Sequence, residues 1–449
     1  MNSSVIDFSD KQLIKLIWPL VLEQFLSLAV GLADSIMVAQ VGDAAVSGVS
    51  LVDSVSALML FIFSAMAAGG AAVCGQYIGR SGYEDARNAG RHLILMMGTV
   101  SLIITVLLYV FSGFIISNLF GSIEPDVMSA TRRYYMYVMA SVPAMALYHS
   151  GAAMFRSMGR TDITLKVSLV MNFINLAGNA VLIFGFGRGV EGVAIPTLVS
   201  WWTAAVIIII LLLNRKYPLH LADIFHFRFN RIVLKNIISL GIPGGIENGM
   251  FQMGKLVLFS FISTMGTASI TANAVGGALA NLNVMPGCAI NLAMTTVVSR
   301  CIGAGDYDRA RYYYKKLCIW TYAVTAVFIA VLLILTPAIL SIYDVSPEAS
   351  EMALNIERLH GIATIFIWVP AFSTPNFLRS AGDASFTMIV SAAVMWTGRV
   401  LGAYVLGKYF GMGVMGVWVA HTIIDWIARG TIFNIRYFRR KWMGKAIKG

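Results

Sequence analysis

The sequence predicts an all-α integral membrane protein in which twelve transmembrane helices form two six-helix lobes. Hydrophobic residues make up 58% of the 449-residue chain and charged residues only 12%, whereas about 25% of the residues in soluble domains are charged. The runs 93–123, 193–213 and 317–343 contain no Asp, Glu, Lys or Arg. Each run meets the length of about 20 residues that a helix needs to cross the hydrocarbon core. A sequence repeat divides the chain into two halves.

The apolar stretches are long and continuous, which is typical of membrane helices. Strands of a membrane barrel are about ten residues long and alternate in polarity. Charged or glycine-rich breaks delimit six spans in the first half, at 13–40, 44–68, 92–118, 132–155, 163–184 and 193–213. The second half holds the other six, at 237–263, 268–298, 317–342, 358–378, 386–407 and 414–436.

The distribution of basic residues predicts the orientation. Most of the lysines and arginines fall in alternate loops and in the C-terminal segment. The opposite loops hold only Arg132, Arg133, Arg188, Arg358 and Lys408. Because basic loops remain in the cytoplasm, both termini are predicted to be cytoplasmic. Residues 1–213 are then the N-lobe, the polar and basic segment 214–236 is a cytoplasmic linker, and 237–449 is the C-lobe.

The two halves repeat one another at an offset of 224 residues. Pro19 and Glu23 return as Pro243 and Glu247, and the segment GVEGV at 189–193 returns as GVMGV at 413–417. With six helices each, the halves enter the membrane in the same sense, so a pseudo-two-fold axis along the membrane normal relates them. Transporters place their substrate at the interface between such repeats, and this is the main functional inference from the pattern.

Other classes of protein are disfavoured by the composition. The net charge of +11 follows from the basic inner loops, so a nucleic-acid partner is not expected. The four cysteines and six histidines show no metal-ligand or catalytic spacing, and no Gly-Lys-Ser/Thr loop indicates ATP binding. We therefore expect a monomeric non-enzyme whose partners are small organic substrates and the lipid bilayer. No cofactor is expected apart from a coupling H⁺ or Na⁺.

The chain resembles the multidrug and toxic compound extrusion (MATE) family from about Ile14 to Arg440. The segments that carry the resemblance are Trp18-Pro19, 32–38 (LADSIMV), Ile78-Gly79, 156–161 (RSMGRT), Asn175 with Asn179, 183–185 (IFG), 272–274 (ANA), Pro286 and 302–305 (IGAG). The resemblance implies two six-helix lobes and antiport of cationic or polyaromatic compounds against Na⁺ or H⁺. A flippase for lipid-linked saccharides, from the same superfamily, is the alternative.

The sequence departs from the family pattern in four places. Many members have an acid where this chain has Asn179, and others depend on a carboxylate in helix 10, where 362–378 contains none. Lys255 in helix 7 and Arg399 in helix 11 are unusual. The coupling ion is therefore left open between H⁺ and Na⁺.

Three acids within the spans are the candidates for ion coupling. Asp34 matches the helix 1 acid of the family, and by that match it is the expected site for a proton or a Na⁺ ion. The alternative for Asp34 is a helix-end carboxylate near the outer surface. Glu23 precedes Asp34 by eleven residues, about three helical turns, so both lie on one face of helix 1. Glu247 is the repeat mate of Glu23 in helix 7. The alternative for both glutamates is a paired structural role near each proline.

Further polar groups inside the spans need a role, because a charge at the bilayer centre costs about 2.5–3.5 kcal/mol on insertion scales. Lys255 is a candidate internal counter-ion for Asp34 or Glu247 in one state, with a static ion pair as the alternative. Arg399 and Asp425 are expected to form an ion-pair network within the C-lobe. The expected cavity-lining polar groups are Asn175, Asn179, Asp53 and His149.

These observations together predict a secondary efflux transporter in the plasma or inner membrane. It would exchange organic compounds for H⁺ or Na⁺ by rocking of its two lobes.

Overall fold

The computed structural model describes residues 6–119, 124–222, 229–342 and 345–447, and all regular structure in these ranges is helical. The helices of the first half are α1 Asp10–Ala39, α2 Asp43–Gly79, α3 Tyr83–Val110, α4 Pro125–Met139, α5 Val142–Ser157, α6 Thr161–Gly185 and α7 Glu191–Leu213. Those of the second half are α8 Arg231–Ser263, α9 Thr267–Gly303, α10 Tyr307–Ile342, α11 Pro347–Ser380, α12 Ala384–Tyr409 and α13 at 413–438.

The twelve predicted spans are helical, although the third continues past the end of α3 into the short helical segments Ser112–Phe114 and Ile115–Leu119. The helices α4 and α5 form one span with a bend of 41°. Within the described residues, nine helices are long and apolar enough to cross a membrane, or ten with this bent pair. The remaining two, α8 and α13, contain polar and charged residues, among them Lys255 and Asp425. Several helices begin earlier than predicted, α3 at Tyr83 rather than residue 92, because their polar ends extend beyond the apolar run.

The chain divides into two compact units, which we call the N-lobe (Phe8–Gly241) and the C-lobe (Ile242–Lys448 together with Met1–Asp7). The boundary falls inside α8 rather than in the predicted linker 214–236. The N-terminal segment groups with the C-lobe because Tyr313 donates a hydrogen bond to Asp7 at 2.7 Å.

The backbone turns repeat between the halves, as the sequence does. Glycines with positive φ follow α1 and α8, at Gly42 (119°) and Gly266 (94°), and again follow α6 and α12, at Gly187 (61°) and Gly411 (66°). Each pair is separated by the 224-residue offset. Since residues with a Cβ rarely adopt this conformation, the glycines fix equivalent turns in the two halves.

Short π-helical segments interrupt several spans. They include Val181–Gly185 in α6, Met395–Leu401 in α12 and Ala420–Ile424 in α13. Such segments are frequent at functional sites because they turn side chains out of the α-helical register. Arg399 and His421 both lie in π-helical segments.

A close helix crossing in the N-lobe predicts a stability effect. A Cβ placed on Gly69 of α2 would lie 2.6 Å from the backbone nitrogen of Gly241 and 2.7 Å from its Cα. We expect Gly69→Ala to lower stability by about 1–3 kcal/mol, the range for overpacking, because backbone must move. Thermal unfolding in detergent measures this. The control is Gly31→Ala, where the new Cβ meets no atom within 4 Å; an equal loss in the two variants would contradict the prediction.

Candidate functional site

Asp34 lies near the end of α1, where side chains of α6 and α7 surround it. The amide nitrogen of Asn179 donates to Asp34 Oδ1 at 2.7 Å. Asn175, one turn earlier on α6, donates to both carboxylate oxygens at 3.0 Å when its amide oxygen accepts from Thr197 Oγ1 at 3.2 Å. The opposite amide orientation would point the Asn175 oxygen at the carboxylate. We call Asp34, Asn175, Asn179 and Thr197 the acid cluster.

The acid cluster holds its carboxylate with neutral donors. Asn179 is fully buried and Asn175 nearly so, while Asp34 is partly accessible. In the part of the chain that the structure describes, Asp34 forms no ion pair with a lysine or arginine. The site therefore retains one uncompensated negative charge whenever Asp34 is ionised.

The acid cluster could also hold a metal cation. Asn179 Oδ1 is buried and has no hydrogen-bond partner among the described residues. This oxygen belongs to the residue that contacts Asp34, and hard cations prefer carboxylate and amide oxygens. The donor set thus fits Na⁺ as well as a proton. No group of three or more His, Cys, Asp or Glu suited to a metal occurs in the described ranges.

A second carboxylate accompanies the acid cluster in the N-lobe. Tyr134 of α4 donates to Asp53 Oδ1 of α2 at 3.0 Å. Asp53 is exposed and Tyr134 buried. Tyr134 and Thr197 were missed by the sequence analysis, because single hydroxyl groups inside apolar helices carry no distinguishing pattern.

His149 of α5 lies in an aromatic environment. Its ring centroid is 5.5 Å from that of Tyr148 and 6.0 Å from that of Trp201. Both ring nitrogens are buried, and neither has a hydrogen-bond partner within the described residues. The cavity-lining role predicted for His149 stays a prediction.

Glu23 is held inside the N-lobe. Arg156 Nη2 lies 3.5 Å from its Oε1, and Thr164 donates to its Oε2 at 3.1 Å. Both side chains of the ion pair are close to nine-tenths buried.

Glu247 has the equivalent contacts inside the C-lobe. Arg379 Nη1 lies 2.9 Å from Oε2, and Ser391 donates to Oε1 at 2.7 Å. Glu23 and Glu247 therefore form matching contacts, each with an arginine and a hydroxyl, as the alternative of a paired structural role would require. Their ion-coupling role stays a prediction.

The network expected for Arg399 and Asp425 is present in the C-lobe and includes a third residue. Arg399 Nη2 and Nε lie 2.5 and 3.2 Å from Asp425 Oδ2, and Arg429 Nη2 lies 3.3 Å from Oδ1. All three side chains are at most 3% exposed. Two guanidinium groups thus share one carboxylate.

Lys255 of α8 does not form in this structure the ion pair with Glu247 that was expected of an internal counter-ion. It is exposed, and it forms no ion pair among the residues that the structure describes. The expected pairing with Glu247 is absent in this structure, because Glu247 contacts Arg379 and Ser391 instead.

The C-lobe also contains a carboxylate that the sequence analysis overlooked. Glu357 of α11 is fully buried, and both its oxygens accept from Asn283 Nδ2, at 3.0 and 3.1 Å. His360 Nδ1 lies 3.1 Å from the same nitrogen. Glu357 was missed because the predicted span began at residue 358, but its spacing of three residues from His360 was visible in the sequence.

These features define the class of the protein, which is a multi-pass membrane protein built from a duplicated six-helix unit with ionisable side chains inside its spans. The MatE family matches residues 19–181 and again 243–405, two stretches that are offset by the 224 residues of the repeat. The chain belongs to the MatE family of transporters.

Known relatives cover nearly the whole chain. The uncharacterized transporter YisQ of Bacillus subtilis is 26% identical over 444 residues, which are 97% of this chain and 95% of that protein. The probable multidrug resistance protein NorM of Thermotoga maritima is 25% identical over 448 residues, 97% and 94% of the two chains.

Solved structures show the same fold. One is described as the outward-facing conformation of a multidrug resistance MATE family transporter of the MOP superfamily. It superposes with a TM-score of 0.88 at 18% identity and covers 96% of each chain. The all-α architecture with two lobes predicted from the sequence is confirmed.

Proposed function

We propose that this protein exports small organic compounds in exchange for H⁺ or Na⁺, with Asp34 as the coupling carboxylate. The observation that supports the proposal is the acid cluster, in which Asp34 is held by the amides of Asn175 and Asn179 without a basic partner among the described residues. A carboxylate left uncompensated inside a membrane protein requires a cation, because an isolated buried charge is costly. A proton or a Na⁺ ion meets that requirement reversibly.

Coupling follows from the charge of Asp34. Loading the carboxylate with a cation from outside would neutralise the acid cluster, and its release on the inside would restore the negative charge. The proposed conformational change is a rocking of the two repeats, as in other transporters built from parallel repeats. The proposal places the protein in the plasma or inner membrane with both termini in the cytoplasm, in keeping with its basic alternate loops.

The experiment is uptake into proteoliposomes that contain the purified protein. A pH gradient or a Na⁺ gradient is imposed separately, and accumulation or release of a fluorescent organic cation is measured. We expect one gradient to drive transport and its collapse by an ionophore to stop it. Transport that is indifferent to both gradients would contradict the proposal.

Glu23 and Glu247 supply a further test, because their contacts favour a structural role. We expect Glu247→Gln to retain more than half of the gradient-driven transport and to lower stability by about 1 kcal/mol. The stability effect is modest because the glutamine amide can still bond to Ser391 and Arg379, which is 31% exposed, keeps its contact with water. Transport and thermal unfolding of the same preparation provide both measurements.

Glu23→Gln is the matched variant in the N-lobe. It should likewise retain more than half of the transport, but its loss of stability should be larger, toward the about 3–5 kcal/mol of a buried pair broken on one side, since Arg156 is only 13% exposed. If either variant keeps its fold but loses gradient-driven transport completely, the glutamate that was replaced is an ion-coupling residue.

A further inference from the structure

The repeat gives the acid cluster a counterpart of opposite charge. At the offset of 224 residues, Asp34 corresponds to Leu258, Asn175 to Arg399 and Thr197 to His421. The C-lobe therefore has no acid at the equivalent position of α8 and has an arginine where the N-lobe has an amide. Duplication preserved the fold of the two halves, and their polar interiors became different.

One ion-pair network in the C-lobe contains more basic than acidic groups. Arg399 and Arg429 share the single carboxylate of Asp425, and the three side chains are at most 3% exposed. Arg429 Nε is buried without a hydrogen-bond partner in the described part of the chain. The ion-pair network thus keeps one net positive charge and one unused donor.

Phe251 places Lys255 beside this network. The guanidinium carbons of Arg399 and Arg429 lie 5.1 and 4.5 Å from the centre of the Phe251 ring. Lys255 follows Phe251 by four residues on α8, one helical turn along the same face. Lys255 therefore lies on the face of α8 from which Phe251 contacts the two guanidinium groups. We call Lys255, Arg399, Arg429 and Asp425 the basic cluster.

The basic cluster has three positive charges and one negative charge. Its accessible member is Lys255, which is exposed and has no carboxylate partner among the described residues. An anion bound beside Lys255 would offset the positive charge of the two arginines. The arrangement resembles an anion-binding site in which a mobile ammonium is supported by fixed guanidinium groups.

We propose that the basic cluster binds the anionic group of the transported compound, so that the substrates include carboxylate-bearing organic anions or zwitterions. This inference rests on the proposed export function and narrows its substrate class. Lys255 contacts the carboxylate, while Arg399 and Arg429 hold a positive field behind it. The aromatic rings of Phe251 and Phe372, both in contact with Arg429, provide a surface for the apolar part of the compound.

Binding and transport of a matched pair of compounds test the inference. The probes are a zwitterionic quinolone with a free carboxylate and its methyl ester, which keeps the aromatic frame and the amine but lacks the negative charge. Calorimetric titration in detergent measures binding without any gradient, and proteoliposomes measure transport. The wild-type protein should bind the acid about tenfold more tightly than the ester, as expected for a charge-assisted hydrogen bond.

The variants are Lys255→Met, Lys255→Arg and the control Lys408→Met. Lys408 is an exposed lysine in the same lobe, and its nitrogen contacts the ring of Tyr404 at 5.2 Å. Lys255→Met should lose the preference for the acid and leave binding of the ester within about twofold. Lys255→Arg should restore the preference, and Lys408→Met should leave it unchanged.

Equal binding of acid and ester by the wild-type protein would overturn the inference, and so would a Lys255→Met variant that weakens the binding of both equally. Competition by inorganic phosphate at concentrations similar to those of the acid would also overturn it, because the site would then serve a free anion. Transport under an imposed gradient tests the export function independently of the binding measurements. If the protein transports the ester under a gradient and shows no preference for the acid, the proposed export function stands. Only the inference that the basic cluster binds an anionic group is then refuted.

Discussion

Replacing Asp34 by asparagine is expected to abolish gradient-driven export while leaving the protein folded. Asparagine has almost the same shape as aspartate, so the contacts with Asn175 and Asn179 can be rearranged within the same space. It cannot bind a proton or balance a Na⁺ ion, and the driving gradient therefore has no site on which to act. We expect transport at or below about a hundredth of the wild-type rate, with any residual flux independent of the gradient.

The measurement is the initial rate of substrate movement in proteoliposomes, at equal protein content and with each gradient imposed in turn. Asp162→Asn is the matched control in the same lobe. Asp162 is a partly exposed carboxylate whose partner is Arg160, 2.9 Å away, and its loss should change transport by less than about twofold. A variant Asp34→Asn that still accumulates substrate against its gradient would remove Asp34 from the coupling mechanism.

The positions of the helices could be predicted because the membrane imposes a strong pattern on the sequence. Every spanning segment must satisfy its own backbone in a helix of about 20 residues, and all twelve apolar stretches proved helical. The predicted ends of the helices were less accurate, because the prediction followed the hydrophobic pattern alone. Residues 83–91 continue α3 beyond its apolar run, and hydrophobicity alone does not show where a polar helical end stops.

The candidate site could be predicted in part. A charged residue in an apolar run is conspicuous, so Asp34, Arg399 and Asp425 were recognised directly. Their partners were harder to find, since Thr197 and Tyr134 are ordinary in membrane helices and become informative only when their hydroxyl groups are seen beside the carboxylates. The pairing of Glu247 with Arg379 joins residues 132 positions apart, and sequence spacing within one helix gives no information on such contacts.

The second large effect is a loss of stability when Asp425 is replaced. Removing this carboxylate by Asp425→Ala leaves the guanidinium groups of Arg399 and Arg429 buried together without the ion-pair partner that they share. Breaking a buried ion pair on one side costs about 3–5 kcal/mol, and two like charges remain here. We expect a loss in this range or protein that fails to accumulate in the membrane.

The cause of this loss can be tested by removing the charges in turn. Asp308→Ala is the control for an exposed pair, since Asp308 is 92% exposed and lies 3.8 Å from Arg311, and it should cost less than about 1 kcal/mol. Arg429→Met combined with Asp425→Ala should recover part of the stability, because only one unpaired guanidinium is left. Unfolding by SDS in mixed micelles gives the free energies. If Asp425→Ala proved as stable as Asp308→Ala, the positive charges of the C-lobe would already be compensated, and the excess charge that favours an anionic substrate would be absent.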